Sequence, residues 1–299
     1  MTFIRSSRGR FKINLWVVIV VVAIFAVATA GQVNRARRQR EAVEAVKAYG
    51  GWVHYDYEFV NGKLKPGREP SAPAWLRSHL GDEYFQDVVY VNLRDNESSG
   101  RLRPNGNSDD AAAVLAKTNE FPNLSVLMLR GTQATDEGLR HIGELTRLEE
   151  LYIFNAAAVS DAGVTHLARL RNLKKVQIDH ARITDVGLRV LCGLHKLEDM
   201  WLQGNGFTDA GITELKRLGN VKKLCLGLGT TRISDKGLES VKHLKNLELL
   251  DLQGSVVTDN GLRHLSGLSK LNELWTSGSI ITEKGKSMLR MKLPVLIIQ

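Results

Sequence analysis

Residues 173–211 read LKKVQIDHARITDVGLRVLCGLHKLEDMWLQGNGFTDAG. Leu173, Val176 and Ile178 open the stretch in an L-x-x-L-x-L pattern, and Thr184-Asp185-Val186-Gly187-Leu188 follows. Twelve residues after Asp185 the first pattern begins again at Leu197, and Thr208-Asp209-Ala210-Gly211 repeats the second. Outward in both directions the Ser/Thr-Asp-x-Gly-apolar unit recurs with its acidic residue at Asp136, Asp161, Asp185, Asp209, Asp235, Asp259 and, degenerate, Glu283. The spacings are 25, 24, 24, 26, 24 and 24. The strand-like unit starts at Leu124, Leu148, Leu173, Leu197, Val221, Leu247 and Leu271, with a last copy read as Leu293, Leu296 and Ile298. Val88, Val91 and Leu93 share its spacing, so a strand before the repeats can begin the stack. Fixed periodicity of this kind specifies a stack of like layers in one body.

Each half of the unit has a physical reason. Alternation in L-x-x-L-x-L sends the leucines into the stack and the intervening residues outward. The Ser or Thr before each Asp is a helix N-cap, and the Asp falls in the first turn, where the helix dipole favours negative charge. Apolar residues three, six and nine positions on, such as Leu139, Ile142 and Leu145, form the inner face of that helix. The Gly two residues after the Asp lets neighbouring helices approach. The acid-to-strand distance is twelve in the first six units, so length variation falls in the strand-to-helix loop, near Ala156–Ala158 and Gly227–Thr231.

These residues resemble the leucine-rich repeat family, in its TD-x-GL variant, over about residues 120–299. The resemblance implies an α/β solenoid with a concave parallel sheet and convex helices; eight strands would give a sheet of roughly 35–40 Å. Many family members carry a ladder of asparagines where this chain has Thr132, Ala156, Ala181, Asn205, Gly229, Ser255 and Ser279. The last unit is degraded, and the closing strand leaves a sheet edge for self-association with another chain.

The amino-terminal region reads differently. Between Lys12 and Arg35 there is no charge, and LWVVIVVVAIFAVATA fills residues 15–30. About twenty apolar residues suffice to cross a bilayer. The expected organisation is a basic tail over 1–12, a transmembrane helix over 13–33, a juxtamembrane helix over 34–50, a cap region over 51–119 and the solenoid over 120–299. Within the cap, Trp52–Phe59 reads as a strand before an Asn61-Gly62 turn, Ala74–Leu80 as a helix, Val88–Leu93 as a strand and 94–110 as a polar loop. Length favours an uncleaved signal anchor; Ala28-Thr29-Ala30 leaves open a cleaved signal peptide and a secreted repeat protein. Four basic residues flank the apolar run on each side, which nearly balances the topology signal and tips it to repeats on the extracytoplasmic side. The layout also resembles the membrane-anchored bacterial repeat proteins abundant in planctomycete-type organisms.

The whole chain carries +9, but residues 1–50 hold nine basic groups against two acids, and residues 51–299 hold 32 against 30. The charge therefore brackets the apolar run, which argues against nucleic acid as a partner. Two cysteines, Cys192 and Cys225, make no disulfide framework. His141, His166 and His264 recur five residues after an Asp on the convex helices, no phosphate-cradling loop stands outside the repeat, and no catalytic residue, metal or cofactor is expected.

Function is expected on the outward strand positions. The central column reads Met128, Tyr152, Gln177, Trp201, Cys225, Asp251, Trp275 and Ile297. One flank reads Val126, Glu150, Lys175, Asp199, Lys223, Leu249 and Glu273; the other reads Arg130, Phe154, Asp179, Gln203, Gly227, Gln253 and Ser277. Aromatic side chains ringed by charge suit a protein contact. The expected binding residues are Tyr152, Phe154, Asp179, Asp199, Trp201, Asp251 and Trp275, in a non-enzymatic module for a protein or peptide ligand. The repeat variant also resembles that of ubiquitin-ligase substrate adaptors, although no F-box-like segment precedes the repeats.

Overall fold

The computed structural model describes residues 15–60, 63–65, 68–70, 72–94, 108–130, 134–227 and 233–299. Helix α1 (Leu15–Tyr49) leads into strand β1 (Trp52–Tyr55), the small pair β2 (Phe59–Val60) and β3 (Lys63–Leu64), helix α2 (Ala74–Leu80), strand β4 (Val88–Arg94) and helix α3 (Ser108–Lys117). The repeats then alternate β5 (Val126–Arg130), α4 (Asp136–Ile142), β6 (Glu150–Ile153), α5 (Asp161–His166), β7 (Lys175–Ile178), α6 (Asp185–Leu191), β8 (Asp199–Trp201) and α7 (Asp209–Ile212). They finish with β9 (Lys223–Cys225), α8 (Asp235–Val241), β10 (Leu249–Asp251), α9 (Asp259–Leu262), β11 (Glu273–Trp275), α10 (Glu283–Arg290) and β12 (Ile297–Ile298). One ten-stranded sheet runs in the order β1-β4-β5-β6-β7-β8-β9-β10-β11-β12, parallel from β4 onward and antiparallel at β1.

The registers match the repeat: Met128 pairs with Tyr152, Tyr152 with Gln177, Gln177 with Trp201, Trp201 with Cys225, and Asp251 with both Cys225 and Trp275. Leu148, Leu151 and Ile153 are fully buried between sheet and helices, and their counterparts are buried in every layer from Leu124 to Leu271. That continuous leucine core is the main stabilising term.

The conserved spacing of the TD unit also serves contacts between layers. Ser160, Thr184, Thr208, Ser234 and Thr258 cap their helices by accepting from the amide two residues on. Each of these residues also donates both its amide and its hydroxyl to the aspartate of the preceding layer. Ser160 N and Oγ reach Asp136 at 2.7 and 2.6 Å, and Thr258 does the same to Asp235. The aspartate expected to act on its own helix dipole is thus a clamp on the next layer. The glycine expected to permit close approach does so against that carboxylate: a Cβ on Gly163, Gly187, Gly211, Gly237 or Gly261 would collide with it.

Another position recurs just after the strands. Asn155, His180, Gly204, Gly254 and Gly278 all have positive φ, turning the chain from sheet toward helix. Among the asparagine-ladder positions, Thr132 and Gly229 lie outside the described residues. Asn205 is fully buried, donating to the carbonyls of Ile178 and Leu202.

At the amino-terminal end β4 does begin the parallel stack, and β1 extends it further. The expected Trp52–Phe59 strand is interrupted by a 3-10 turn at Asp56–Glu58, because the Glu58 carboxylate accepts the Tyr55 amide at 2.9 Å and meets His54 Nδ1 at 3.2 Å. The Asn61-Gly62 turn and residues 95–107 of the polar loop lie outside the described residues. Helix α1 runs unbroken through the boundary placed at 33/34. Trp16, Ile24 and Val27 are exposed along its apolar part, while Ala36, Ala42, Val43 and Val46 are buried against the cap. The helix is long and apolar enough to cross a membrane.

The closing strand differs from its expected register. Ile297 pairs with Glu273 and Ile298 with Leu274, so Ile297 belongs to the flanking column rather than beside Trp275. The reason lies in the turn: Leu296 N donates to Leu293 O as Leu271 N donates to Leu268 O, which makes Leu293 part of the turn rather than the start of the strand unit.

Candidate functional site: the concave face of the sheet

The outward residues from β1 to β11 make one surface with two aromatic centres. In the carboxyl-terminal half, the rings of Trp201 and Trp275 meet edge to face at 5.9 Å. They belong to strands separated by β9 and β10, so the indoles arch over Cys225 and Asp251, both of which have no exposed surface. Asp251 is an internal strut: Oδ2 accepts from Gln203 Nε2 at 2.9 Å and Oδ1 from the Gln253 amide at 2.8 Å. It faces the concave side, as its column implies, but the indoles and glutamines cover it. Burial raises the Cys225 thiol, with Asp251 adding to the effect, and keeps it protonated. Trp275 Nε1 is buried with no hydrogen-bond partner among the described residues.

The central strands carry the charged part of the face. Glu150 Oε1 pairs with Lys175 Nζ at 2.8 Å, and its other oxygen accepts from Tyr152 Oη at 2.7 Å. Burial and the Glu150 contact together raise the Tyr152 phenol above its ordinary range. Asp199 sits between Lys175 and Lys223 in the adjoining strands, and burial raises its carboxyl despite both ammoniums. Asp179 is 7% exposed, and its Oδ2 accepts from Gln177 Nε2 at 2.6 Å. Burial raises its carboxyl too. Phe154 is half-buried, with the Arg130 guanidinium 4.5 Å above its ring.

Of the expected residues, Tyr152, Phe154, Asp199, Trp201 and Trp275 present partly exposed side chains, whereas Asp179 and Asp251 lie beneath them. The structure adds a second aromatic centre that column reading missed. Tyr90 pairs with Val126 in register, and its ring lies 5.2 Å from His54 and 6.3 Å from Phe59. Asn92 Nδ2 donates to Tyr90 Oη at 3.1 Å and contacts Met128 Sδ at the same distance. The face therefore extends from β1 to β11. The signal was present in the shared spacing of Val88, Val91 and Leu93, which places Tyr90 in the flanking column. His54 required the antiparallel pairing of β1, which no repeat encodes.

A stack of 24- to 26-residue layers, with parallel strands on one face and capped helices on the other, defines a leucine-rich-repeat solenoid. A family model described as Leucine Rich repeat matches residues 169–192, one layer of that stack. No curated protein matches it. Among solved structures it is similar to internalin C2 from Listeria monocytogenes, at 20% identity over 75% of this chain and 88% of that one, with TM-score 0.51. An internalin (inlF) from the same organism shares 23% identity over 62% of this chain and 56% of its own, with TM-score 0.47. A leucine-rich-repeat protein from Leptospira interrogans shares 22% over 62% and 45%, with TM-score 0.45. The chain spans about half the length of these last two.

Proposed function

We propose that the protein is a membrane-anchored, non-enzymatic binding module whose concave face holds a protein or peptide. The observation that carries this reading is the set of half-buried aromatics, Tyr90, Tyr152, Phe154, Trp201 and Trp275, along one face of a rigid sheet. Large rigid rings beside charge, with little conformational entropy left to lose, are the composition of interface hot spots. The ligand matched to this face has apolar side chains for the two aromatic centres and mixed charge between them, opposite Glu150, Lys175, Asp199 and Lys223. A photo-crosslinking residue placed at Tyr152 or Trp201 is expected to trap partners that the same residue at Arg189, on the convex side, does not. Equal trapping at all three positions would refute the assignment.

Anchoring rests on the nineteen residues Leu15–Val33 of α1, about 28 Å at helical rise, which matches the hydrocarbon thickness of a bilayer. The repeats are assigned to the extracytoplasmic side. Protease added to intact cells is expected to cut the solenoid; full protection would reverse that orientation.

A further inference from the structure

We infer that the strand-entry rim of the solenoid lies against the membrane and gathers anionic lipid headgroups. The inference rests on the anchoring reading and concerns how the anchored body is oriented. Helix α1 is docked on the cap, and its contacts fix its direction. Near its apolar part, Tyr84 Oη donates to Gln32 and Arg35 pairs with Asp87, the residue just before β4; Gln39 Nε2 donates to the Gln86 carbonyl at 2.8 Å. Its far end reaches the other end of the strand, where Gly51 packs between Val46 and Leu93. The helix thus runs along β4 and emerges toward the bilayer on the side where the parallel strands begin.

That side is the basic one. Arg35, Asp87, Asn123 and Arg147 form a hydrogen-bonded row from α1 into the first layers. The row resumes where Lys196 donates to Asn172 at 2.8 Å and Lys270 to Asn246 at 2.7 Å. Segments 144–149, 168–174, 192–198, 216–222, 242–248 and 266–272, which lead into the strands, hold eleven lysines and arginines against four glutamates. Arg147, Arg171, Lys196, Lys245 and Lys270 are exposed with no carboxylate in ion-pair range among the described residues, whereas Glu149 and Glu198 each hold a lysine. The described residues of the opposite segments, 130, 134–136, 154–161, 179–185, 203–209, 227, 233–235, 253–259 and 277–283, hold eight carboxylates against two arginines. The body is a charge dipole along its strands, and α1 leaves from the positive side. Val33 precedes Arg35 by two residues, about 3 Å of helix, so the rim near α1 lies within a Debye length of the headgroups.

The test uses the full chain in vesicles containing about one-third anionic lipid. Single reporters are attached at Thr146→Cys or Ser269→Cys on the basic rim and at Ala157→Cys on the acidic rim; Cys192 and Cys225 are buried. Headgroup-tethered quencher is expected to quench the Thr146→Cys reporter at least threefold more than the Ala157→Cys reporter, with Ser269→Cys between them. Energy transfer to an anionic tracer lipid is expected to exceed that to a neutral tracer by about twofold. The excess should vanish in 0.5 M salt and in the Lys196→Gln, Lys245→Gln, Lys270→Gln variant. Loss of the protein from vesicles on alkaline washing would refute the anchor itself. Retention with equal quenching on both rims, or with no preference between tracers, would overturn the inference while leaving the anchor in place. Capture of polyglutamate by the rim without lipid enrichment would assign the surface to an acidic protein and overturn it equally.

Discussion

Replacing Asp136 by Ala removes one clamp between the first two full repeats. Oδ1 and Oδ2 accept the Ser160 amide and hydroxyl at 2.7 and 2.6 Å, and the hydroxyl in turn accepts from Ala162 N at the start of α5. A hydrogen bond to a charged acceptor contributes about 1.5–3 kcal/mol where water is excluded. Asp136 is only half-buried, and water can replace the lost acceptor, so each bond is discounted to about 1 kcal/mol. The expected cost is then about 1–3 kcal/mol, felt mainly at the α4–α5 junction because each layer touches only its neighbours. Burial opposes the charged form of Asp136, yet the Ser160 hydroxyl and amide prevail and hold its carboxyl below the ordinary range. A carboxyl lowered by folding stabilises above its unfolded pKa, and that stabilisation is lost as pH falls through the folded value. The difference between wild type and Asp136→Ala is therefore full at neutral pH and shrinks through the acid range. Hydrogen exchange of the Ser160 amide reads it directly, with protection expected to fall about 5- to 160-fold at pH 7. Ser160→Ala in a double-mutant cycle should show strong non-additivity. Unchanged exchange at Ser160, or strictly additive effects, would refute the clamp.

Other outcomes follow from the same geometry. Gly211→Ala drives a methyl group into the Asp185 carboxylate and is expected to cost about 1–3 kcal/mol by denaturant titration, with Thr208 shifted in its spectrum. Asn205→Ala strands the Ile178 and Leu202 carbonyls in the core, for about 1–3 kcal/mol in the same titration. Trp201→Ala opens the roof over Cys225, so its alkylation by a small maleimide should accelerate at least tenfold, while Cys192, which lies in the leucine core, stays unreactive. No acceleration would mean that the indole pair does not shield the thiol.

How much of this was legible in the sequence depends on what each residue's partner was. Features set by the period were readable: the buried Leu148, Leu151 and Ile153, the caps at Ser160 and Thr184, and the columns from Met128 to Trp275 recur every layer and reveal themselves by recurrence. The clamp escaped because an Asp at the start of a helix has a sufficient local reason, the dipole, and that reason says nothing of the next layer. The correct partner lay 24 residues on, and the glycine two positions beyond the next Asp was the hint that something occupied the space above it. The closing strand escaped for the opposite reason: Leu293, Leu296 and Ile298 copy the spacing of the unit, but the turn before β12 takes up Leu293 and moves Ile297 one column aside.

The burial of Asp251 and Cys225 shows the same limit within the candidate site. Alternation correctly aims both side chains at the concave face, but alternation describes a single strand. Exposure there is decided by the flanking strands: Trp201 and Trp275 have enough reach to meet at 5.9 Å across the pair of smaller residues between them. A Trp-small-small-Trp order in one column thus predicts a roofed position, and large-large neighbours would predict an open one. On that rule the partner-facing chemistry of the carboxyl-terminal half is aromatic, with the acidic groups lending rigidity from below. Tyr152 and Asp199 stay partly exposed, and their column neighbours Gln177 and Lys175 are engaged by other partners, Asp179 and Glu150.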